Sequence, residues 1–286
     1  MEKVTDFITL WKELVGKQGP FWNCNKRSEN NQEKWQDRAR VFYQRVTERW
    51  KKPDPHRDFI VSIISGSRDA TLLDIGAGTG AWAILLSRYV RKVTAVEPSA
   101  EMREVLKENI EKESIGNIEI IDRFWPIQGI EPHDFTLASH SVYGCEDLKG
   151  FVTAMTEATL NRSFMLLRAP DHNGLMAMAA NRIWGHPYDS PNFQVAYNAM
   201  LQMGLFPNVL MEQKGMWPGW TNNNFDEAID RIRLRFGLDK DSEHDHYLHA
   251  LLKARLRELD GKIQWPSEVR TGLLYWSAGK KRGRYK

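Results

Sequence analysis

The most restrictive feature of the sequence is a short apolar segment that runs directly into a cluster of glycines. Residues 71–75 predict a strand, residues 76–81 contain three glycines, and residues 82–89 predict a helix. At such a junction an open α/β sheet presents backbone N–H groups, and ligands bind there. Glycine allows the tight turn and lets a ligand approach the backbone closely. The segment therefore predicts a ligand-binding turn between a strand and a helix.

Strands and helices alternate along most of the chain. Predicted strands cover residues 71–75, 92–96, 118–121, 134–139, 163–167, 208–212 and 271–278. Predicted helices cover residues 4–14, 31–50, 82–89, 100–112, 148–160, 176–184, 194–203, 225–236 and 244–259. Pro53 and Pro55 are predicted to end the second helix. The alternation implies parallel strand–helix–strand units with right-handed crossovers, and hence an α/β fold whose sheet is covered on both faces.

Composition excludes several classes of protein. Only two cysteines, Cys24 and Cys145, are present among 286 residues, which excludes a disulfide framework and a cysteine-rich metal site. A formal net charge of +3 argues neither for nor against nucleic acid, which we do not expect as a partner but do not exclude. No apolar run approaches the roughly 18 residues that span a bilayer, and Met1–Asp6 do not resemble a secretory signal. We therefore expect a cytoplasmic monomer or homodimer with no metal and no membrane partner.

Two classes of ligand could occupy the glycine turn, and charge separates them. Gly76, Gly78 and Ala81 satisfy the relaxed dinucleotide pattern G-x-G-x-x-G/A. However, Asp74 precedes the first glycine by two residues, and its carboxylate would repel a pyrophosphate about 5 Å away by roughly 3 kcal/mol. S-adenosylmethionine (SAM) carries an ammonium and a sulfonium group and no phosphate. Asp74 therefore favours SAM over NAD as the ligand.

Glu97 follows the second predicted strand, about 20 residues after the turn. At this spacing an acidic side chain accepts hydrogen bonds from both hydroxyl groups of a ribose. SAM and NAD both contain a ribose, so Glu97 supports a nucleoside ligand without choosing between the two.

These segments resemble a known family, the class I SAM-dependent methyltransferases, and in particular its type 11 and type 25 domains. Residues 72–83 and 93–98 are similar to the family's motifs I and II, and residues 134–139 are similar to its fourth-strand motif. The resemblance covers roughly residues 55–170. It implies a Rossmann-like, seven-stranded, mostly parallel sheet whose last strand is antiparallel.

The resemblance also implies SAM as the cofactor and S-adenosylhomocysteine (SAH) as its product. Asp74 and Gly76 would lie near the methionine part, and Glu97 would hold the ribose. The residues expected to bind the cofactor are Asp74, Gly76, Ala77, Gly78, Gly80, Glu97, Pro98, Asp122, Phe124, Trp125, Ser139 and His140.

The end of the third predicted strand departs from the family pattern. Phe124 stands where many members have an acidic residue near the adenine. Either the loop shifts so that Asp122 serves, or Phe124 and Trp125 stack as a wall against the adenine. A further alternative is that both aromatic side chains belong to the core.

His140 and Tyr143 are the candidate catalytic residues, because they follow the fourth strand at the edge that faces the donor methyl group. Methyl transfer from a sulfonium is an in-line displacement, in which alignment and desolvation supply most of the acceleration. A base is needed only if the acceptor must lose a proton. His140 could be such a base, or it could hydrogen-bond the backbone and close the cofactor pocket.

The acceptor side is expected to come from aromatic residues outside the sheet core, which line apolar pockets or hold cations. The predicted lining residues are Trp22, Trp35, Tyr43, His172, Trp217 and Trp220. We therefore predict a helical lid at residues 1–52, a SAM-binding core at residues 53–170, and substrate-side helices with the last two strands at residues 171–286. The N-terminal helices and those of the C-terminal half together would form the lid.

The sequence thus predicts a methyltransferase that acts on a small-molecule acceptor. Three alternatives remain open: an RNA methyltransferase, an NAD(P)-dependent oxidoreductase, and a module that binds the cofactor without turnover. Methylation of RNA would need an open basic groove around the donor site, whereas buried small acceptors favour lids. A ligand-binding assay separates SAM from NAD(P).

Overall fold

The computed structural model describes residues 5–17, 32–216 and 219–278. Its strands are β1 (Thr71–Ile75), β2 (Lys92–Val96), β3 (Ile118–Ile121), β4 (His133–Ser139), β5 (Thr159–Pro170), β6 (Asn208–Met211), β7 (Thr221–Asn222), β8 (Arg257–Leu259), β9 (Lys262–Gln264) and β10 (Val269–Ser277). Seven of them form the central sheet in the order β3-β2-β1-β4-β5-β10-β6, with β10 antiparallel to both neighbours. The predicted α/β fold with a seven-stranded, mostly parallel sheet is confirmed.

Helices cover both faces of this sheet. They are α1 (Phe7–Gly16), α2 (Gln32–Arg49), α3 (Pro55–Ile64), α4 (Ala81–Ser87), α5 (Ala100–Lys112), α6 (Leu148–Glu157), α7 (Leu175–Trp184), α8 (Phe193–Gln202), α9 (Phe225–Phe236) and α10 (Asp245–Arg255). Successive side chains of a strand point to opposite faces, and β1 follows this rule. Leu72 packs with α3, α4 and α5, whereas Leu73 and Ile75 pack with α1, α6 and α8.

The order of the strands reverses at β1, which positions the site. β1 pairs with β2 on one side and with β4 on the other, so that Leu73 lies level with both Thr94 and Thr136. At such a point the helices that follow the two strands diverge, and a crevice opens outside the carboxyl ends of the strands. The ends of β1, β2 and β4 therefore meet around one crevice.

One helix of the core differs from the sequence expectation. Pro55 does not simply terminate α2, because it occupies the first turn of α3, where a missing backbone N–H costs nothing. Asp54 caps this helix, and its Oδ1 accepts hydrogen bonds from the backbone N–H groups of His56 and Arg57, both at 3.0 Å. The proline was correct as a boundary of α2 but also marked the beginning of another helix.

The segment between β6 and β10 contains a second, antiparallel sheet in the order β7-β9-β8, which the sequence does not predict. The expectation of a helix over residues 244–259 is wrong at its end, because α10 ends at Arg255 and β8 follows. Asp260 and Gly261 have φ values of 52° and 69° and form the two-residue turn of a hairpin between β8 and β9. Turns of this type need two positive φ values and therefore favour the sequence Asp-Gly. Residues of α7, α9 and α10 form a core of their own under this sheet.

The described part of the N-terminal segment packs on the sheet domain. Trp11 is fully buried, and its Nε1 donates a hydrogen bond to the carbonyl oxygen of Cys145 at 2.8 Å. This contact joins α1 to the loop between β4 and α6. The lid function of residues 1–52 and the three predicted domain ranges stay predictions.

None of the helices in the described residues is long and apolar enough to cross a bilayer. Within the same residues, no group of three or more His, Cys, Asp or Glu side chains could hold a metal ion.

Candidate functional site

The turn after β1 depends on glycine. Gly76, Gly78 and Gly80 have φ values of 71°, 57° and 86°, a region that side chains with a Cβ atom rarely adopt. Two of the three also lie against neighbours. A Cβ atom on Gly76 would lie 2.3 Å from Cβ of Ser141, and one on Gly80 would lie 2.1 Å from Cδ1 of Leu106. The turn is therefore pressed against α5 and against the loop that follows β4.

Most backbone N–H groups of this turn already have acceptors within the protein. Gly76 and Ala77 both donate to the carbonyl oxygen of Val96, at 2.8 and 3.0 Å, and Gly80 donates to Ala77 at 2.9 Å. The N–H group of Gly78 is also engaged, by a carboxylate described next. The turn therefore presents few free N–H groups to an anion.

Glu97 holds the turn from the end of β2. Its Oε2 accepts from the N–H group of Gly78 at 2.8 Å, and its Oε1 accepts from that of Ser99 at 2.8 Å. The side chain is buried, and the half-buried Pro98 follows it at the rim of the crevice. Each carboxylate oxygen can accept more than one hydrogen bond, so these contacts leave capacity for ligand hydroxyl groups.

Asp74 is a buried carboxylate with an incomplete set of partners. Its side chain is 1% exposed, and among the described residues its Oδ2 atom has no hydrogen-bond partner. Burial and, to a smaller degree, the negative charge of Glu97 raise the pKa of Asp74 to about 7, and the N–H group of Ala83 opposes the shift. Two acidic groups thus lie close together beneath the turn, and a cation would relieve their repulsion.

The end of β4 is tied to β1 and α4. Ser139 accepts a hydrogen bond from Nε1 of Trp82 at 3.0 Å, and Ser141 donates one to the carbonyl oxygen of Ile75 at 2.6 Å. Trp82 in turn lies edge-on to Trp50 at 4.9 Å between ring centroids. These bonds close one wall of the crevice.

His140 follows β4 directly, and its side chain is exposed to solvent. Its backbone is left-handed (φ 55°), and its Nδ1 is 2.8 Å from the hydroxyl oxygen of Tyr143. That oxygen also accepts the N–H group of Arg168 at 2.6 Å. Tyr143 thus links Nδ1 of His140 to the backbone of β5.

Neither candidate catalytic residue has the protonation behaviour of a base at neutral pH. Burial lowers the pKa of His140 to about 4, helped by the positive charges of His56, Arg49 and Arg168. Burial also raises the pKa of Tyr143 above its ordinary value. At pH 7 both side chains are neutral hydrogen-bonding groups.

We expect Tyr143→Phe to lower the free energy of unfolding by about 2 kcal/mol, because it leaves the N–H group of Arg168 without its acceptor. Urea denaturation at 25 °C measures the change. Tyr197→Phe is the matched control, since no described residue hydrogen-bonds its hydroxyl group, and it should change stability by less than about 0.5 kcal/mol. Equal effects of the two substitutions would contradict the bridging role of Tyr143.

Of the two aromatic residues that follow β3, one is packed in the protein and the other is exposed. Phe124 is 65% exposed and therefore does not belong to the core. Trp125 packs against α6, and its Nε1 donates to the carbonyl oxygen of Phe151 at 3.2 Å. Asp122 is exposed and forms an ion pair with Arg103 at 2.6 Å. Phe124 and Asp122 remain available at the rim, whereas Trp125 is engaged in packing.

The predicted acceptor-lining residues do not form one group. Trp22, Trp217 and the side chain of Trp35 lie outside the described residues. Tyr43 lies near Glu113 and Arg88, at the carboxyl ends of α5 and α4, and so on the side opposite the crevice. His172 is exposed beyond β5. Of this set, Trp220 alone lines a cavity within the described part of the chain, beside Trp265 at 6.1 Å between ring centroids.

The sequence does not predict four residues of this region: Trp82, Ser141, Arg168 and Asp189. Their contacts join positions that are 21 to 66 residues apart, and no local pattern marks them. Ser141 was the most accessible to prediction, because it follows β4 directly.

The segment that contains the glycine turn is similar to known methyltransferases. Residues 72–155 match the family model described as a methyltransferase domain. A segment of 51 residues is 41% identical to the ribosomal RNA small subunit methyltransferase A of Mesoplasma florum. This match covers 18% of the chain and 19% of the relative, so the chain spans only about a fifth of the length of that protein.

Two solved structures have a similar fold. The YcgJ protein of Bacillus subtilis has a TM-score of 0.51 at 16% identity, covering 78% of this chain and 98% of that one. The BH2331 protein of Bacillus halodurans C-125 has a TM-score of 0.53 at 12% identity, with the same coverage of both chains. At these identities the likeness shows the fold.

Proposed function

We propose that this chain, which belongs to the class I SAM-dependent methyltransferases through the domain at residues 72–155, transfers the methyl group of SAM to a small-molecule acceptor. The observation that carries the proposal is the buried carboxylate of Asp74, with an unpartnered oxygen, beside a glycine turn closed by Glu97. A positively charged nucleoside without phosphate suits this pair of acidic groups. SAM is the cofactor of the family, and these residues fit it.

Anion binding at the same turn is disfavoured. A pyrophosphate requires free N–H groups at the beginning of the helix, but those of Gly76, Ala77 and Gly78 already donate to protein oxygens. The carboxylates of Asp74 and Glu97 would also repel it. Both arguments favour SAM over a dinucleotide.

We assign the cofactor-binding roles as follows. Asp74 supplies negative charge beneath the turn, Glu97 accepts hydrogen bonds from the ribose, and Gly76 to Gly80 let the ligand approach the backbone. Phe124 is placed at the rim, where an exposed ring could stack on the adenine. Ser139 and His140 line the wall at the end of β4.

When bound, SAM supplies an activated methyl group, which moves to an electron pair of the acceptor as the carbon–sulfur bond breaks towards sulfur. The chain's own residues orient and desolvate rather than abstract a proton. His140 and Tyr143 are neutral at pH 7, so both act through hydrogen bonds rather than as charged groups. Alignment in a closed crevice can supply most of the acceleration for such a displacement.

RNA is the second candidate acceptor, favoured by the match with a ribosomal RNA methyltransferase. An RNA acceptor would require a continuous basic surface, and its binding would fall steeply with salt. Binding of a short RNA duplex that weakens about a thousandfold between 50 and 200 mM salt would support this candidate against the small molecule.

Calorimetric titration of the full chain tests the proposal. We expect SAM and SAH to bind with micromolar affinity and NADH to show no measurable binding, because the first two carry an ammonium group and no phosphate. Adenosine serves as the control that contains the ribose but no charge. Tight binding of NADH without binding of SAM would contradict the proposed function.

A further inference from the structure

A cavity of about 170 Å³ lies at the carboxyl end of β5, between α7 and the segment that precedes β10. Much of its wall is apolar: Trp220, Trp265, Met176, Pro170 and Val269. The two indole rings pack edge to face at 62°, and the guanidinium of Arg231 lies 5.2 Å from the ring centroid of Trp220. The cavity therefore fits a small molecule with an aromatic or apolar body.

The cavity and the proposed methyl-donor site lie at the same edge of the central sheet. Arg168 lines the cavity, and the backbone N–H group of Arg168 bonds the hydroxyl oxygen of Tyr143, which contacts His140. β5 also lies next to β4 in the sheet, so the carboxyl ends of the two strands share one edge. A molecule in the cavity would thus lie beside the crevice at the ends of β1 and β4.

Arg168 is held from one side only. Its Nη2 atom donates to both carboxylate oxygens of Asp189 and to the hydroxyl of Ser190, at 2.5 to 2.8 Å. Within the described part of the chain, its Nε and Nη1 atoms make no hydrogen bond. Arg168 lines the cavity, and its side chain is 21% exposed.

The carboxylates of the same wall are already satisfied. Asp171 forms ion pairs with Lys214 at 2.5 Å and with Arg270 at 3.0 Å. Glu268 accepts the N–H group of Leu175 at 2.6 Å and forms an ion pair with Arg255. Neither carboxylate therefore needs a cationic ligand.

Positive charge exceeds negative charge in the ion pairs around the cavity. The cations are Arg168, Lys214, Arg235, Arg255 and Arg270, and the carboxylates are Asp171, Asp189 and Glu268. Asp189 is shared, since Nη2 of Arg235 lies 3.9 Å from its carboxylate and donates to its carbonyl oxygen at 2.8 Å. One carboxylate thus faces two guanidinium groups, and a bound anion would balance the remaining positive charge.

We propose that this cavity binds the methyl acceptor, and that the acceptor is a small molecule with an aromatic or apolar body and one anionic group, such as a carboxylate, held by Nε and Nη1 of Arg168. The proposal rests on the proposed function, because the cavity can hold a methyl acceptor only if the neighbouring site holds the methyl donor. Arg168 would bind the anion, and Trp220 and Trp265 would pack against the ring.

A matched pair of probes tests the charge of the ligand. The SAH-loaded full chain is titrated with 3-hydroxybenzoate and with 3-hydroxybenzamide, which have the same size and differ in charge, and ligand-observed NMR measures both affinities. We expect the carboxylate to bind about tenfold or more tightly than the amide, since bonds between charged groups are the strong ones. Equal affinities, or no binding of either probe at millimolar concentration, would overturn the proposal.

Three variants assign the effect to residues. In Arg168→Lys a single ammonium remains paired with Asp189, so the preference for the carboxylate should fall below about twofold. Trp220→Ala should weaken both probes by about fivefold and leave their ratio unchanged. Arg88→Lys makes the same substitution at an exposed position on α4 and should change neither value. A preference retained in Arg168→Lys would overturn the assignment to Arg168.

SAH binding and thermal unfolding are measured for every variant, and the titrations are repeated without SAH. If Arg168→Lys does not fold, the ratio of the two probes in the unchanged protein still decides the question. Failure of the unchanged protein to bind SAH would contradict the proposed function instead. The two failures are therefore distinguishable.

Discussion

Asp74→Asn is expected to weaken SAM binding about a hundredfold. The substitution keeps the size of the side chain and removes its charge. A unit charge about 5 Å from a cation at an effective dielectric of 20 contributes roughly 3 kcal/mol, which corresponds to about two orders of magnitude in affinity. Calorimetric titration with SAM measures the loss. Unchanged affinity would refute the role proposed for this carboxylate.

The pH dependence gives an independent check on the same residue. Burial raises the pKa of Asp74 to about 7, so the carboxyl group is partly protonated in the free protein near neutrality. A cation favours the ionised form, so SAM affinity should rise as pH increases from 6 to 8, with release of a proton on binding. Asp74→Asn should show no such rise from this position.

Stability separates this effect from misfolding. Folding raises the pKa of this carboxyl group, so its protonated form stabilises the folded state at low pH. This contribution decreases as the pH rises from about 4 through 7, because the buried acid must then ionise. Without bound ligand at pH 8, Asp74→Asn should therefore be at least as stable as the unchanged protein in urea. If the variant lost stability as well as SAM binding, misfolding would explain the loss, and the role proposed for the charge of Asp74 would be contradicted.

Gly76→Ala is expected to lower the free energy of unfolding by about 3 kcal/mol or more. Part of the loss, about 1 kcal/mol, comes from a Cβ atom at a φ of 71°. The larger part comes from overlap, because the new atom would lie 2.3 Å from Cβ of Ser141, which is itself held by its bond to Ile75. Urea denaturation at 25 °C measures the change.

Gly78→Ala is the matched control for this substitution. Gly78 also has a positive φ, 57°, but no described atom lies within 4 Å of the position of its Cβ. The loss there should be about 1 kcal/mol. Adding Ser141→Gly to Gly76→Ala should recover about 2 kcal/mol, since it removes the overlapping atom. Equal losses at Gly76 and Gly78, or no recovery, would show that the contact with Ser141 is unimportant.

Local patterns predicted the parts of the site that lie close together in sequence. Asp74 and the glycines share one strand–turn–helix unit, and the helix predicted at residues 100–112 has its N-terminus capped by Ser99, whose hydroxyl oxygen accepts a hydrogen bond from the N–H group of Met102. Glu97 was predictable because the length of one helix fixes the spacing between β1 and β2. These features depend on a single crossover, whose geometry the alternation of strands and helices specifies.

Other features required the folded chain. The helical pattern over residues 244–259 concealed a hairpin, although Asp260 and Gly261 carry a turn signal, because periodicity alone does not locate the end of a helix. Tyr43 has the aromatic character of a lining residue, but α2 carries it to the side away from the crevice. The sequence shows that such a residue is aromatic, but only the packing of the helices shows which part of the protein its side chain contacts.

The sequence by itself determined the class of fold, the glycine turn after β1 and the acidic residues beside that turn, because all three follow from short segments with fixed spacing. Tertiary structure alone decided that Arg168 reaches Asp189 on one side and a cavity on the other, and that Tyr143 joins Arg168 to His140. These contacts join different strands and loops. Their distances depend on how whole elements pack, and no periodicity within one element encodes them.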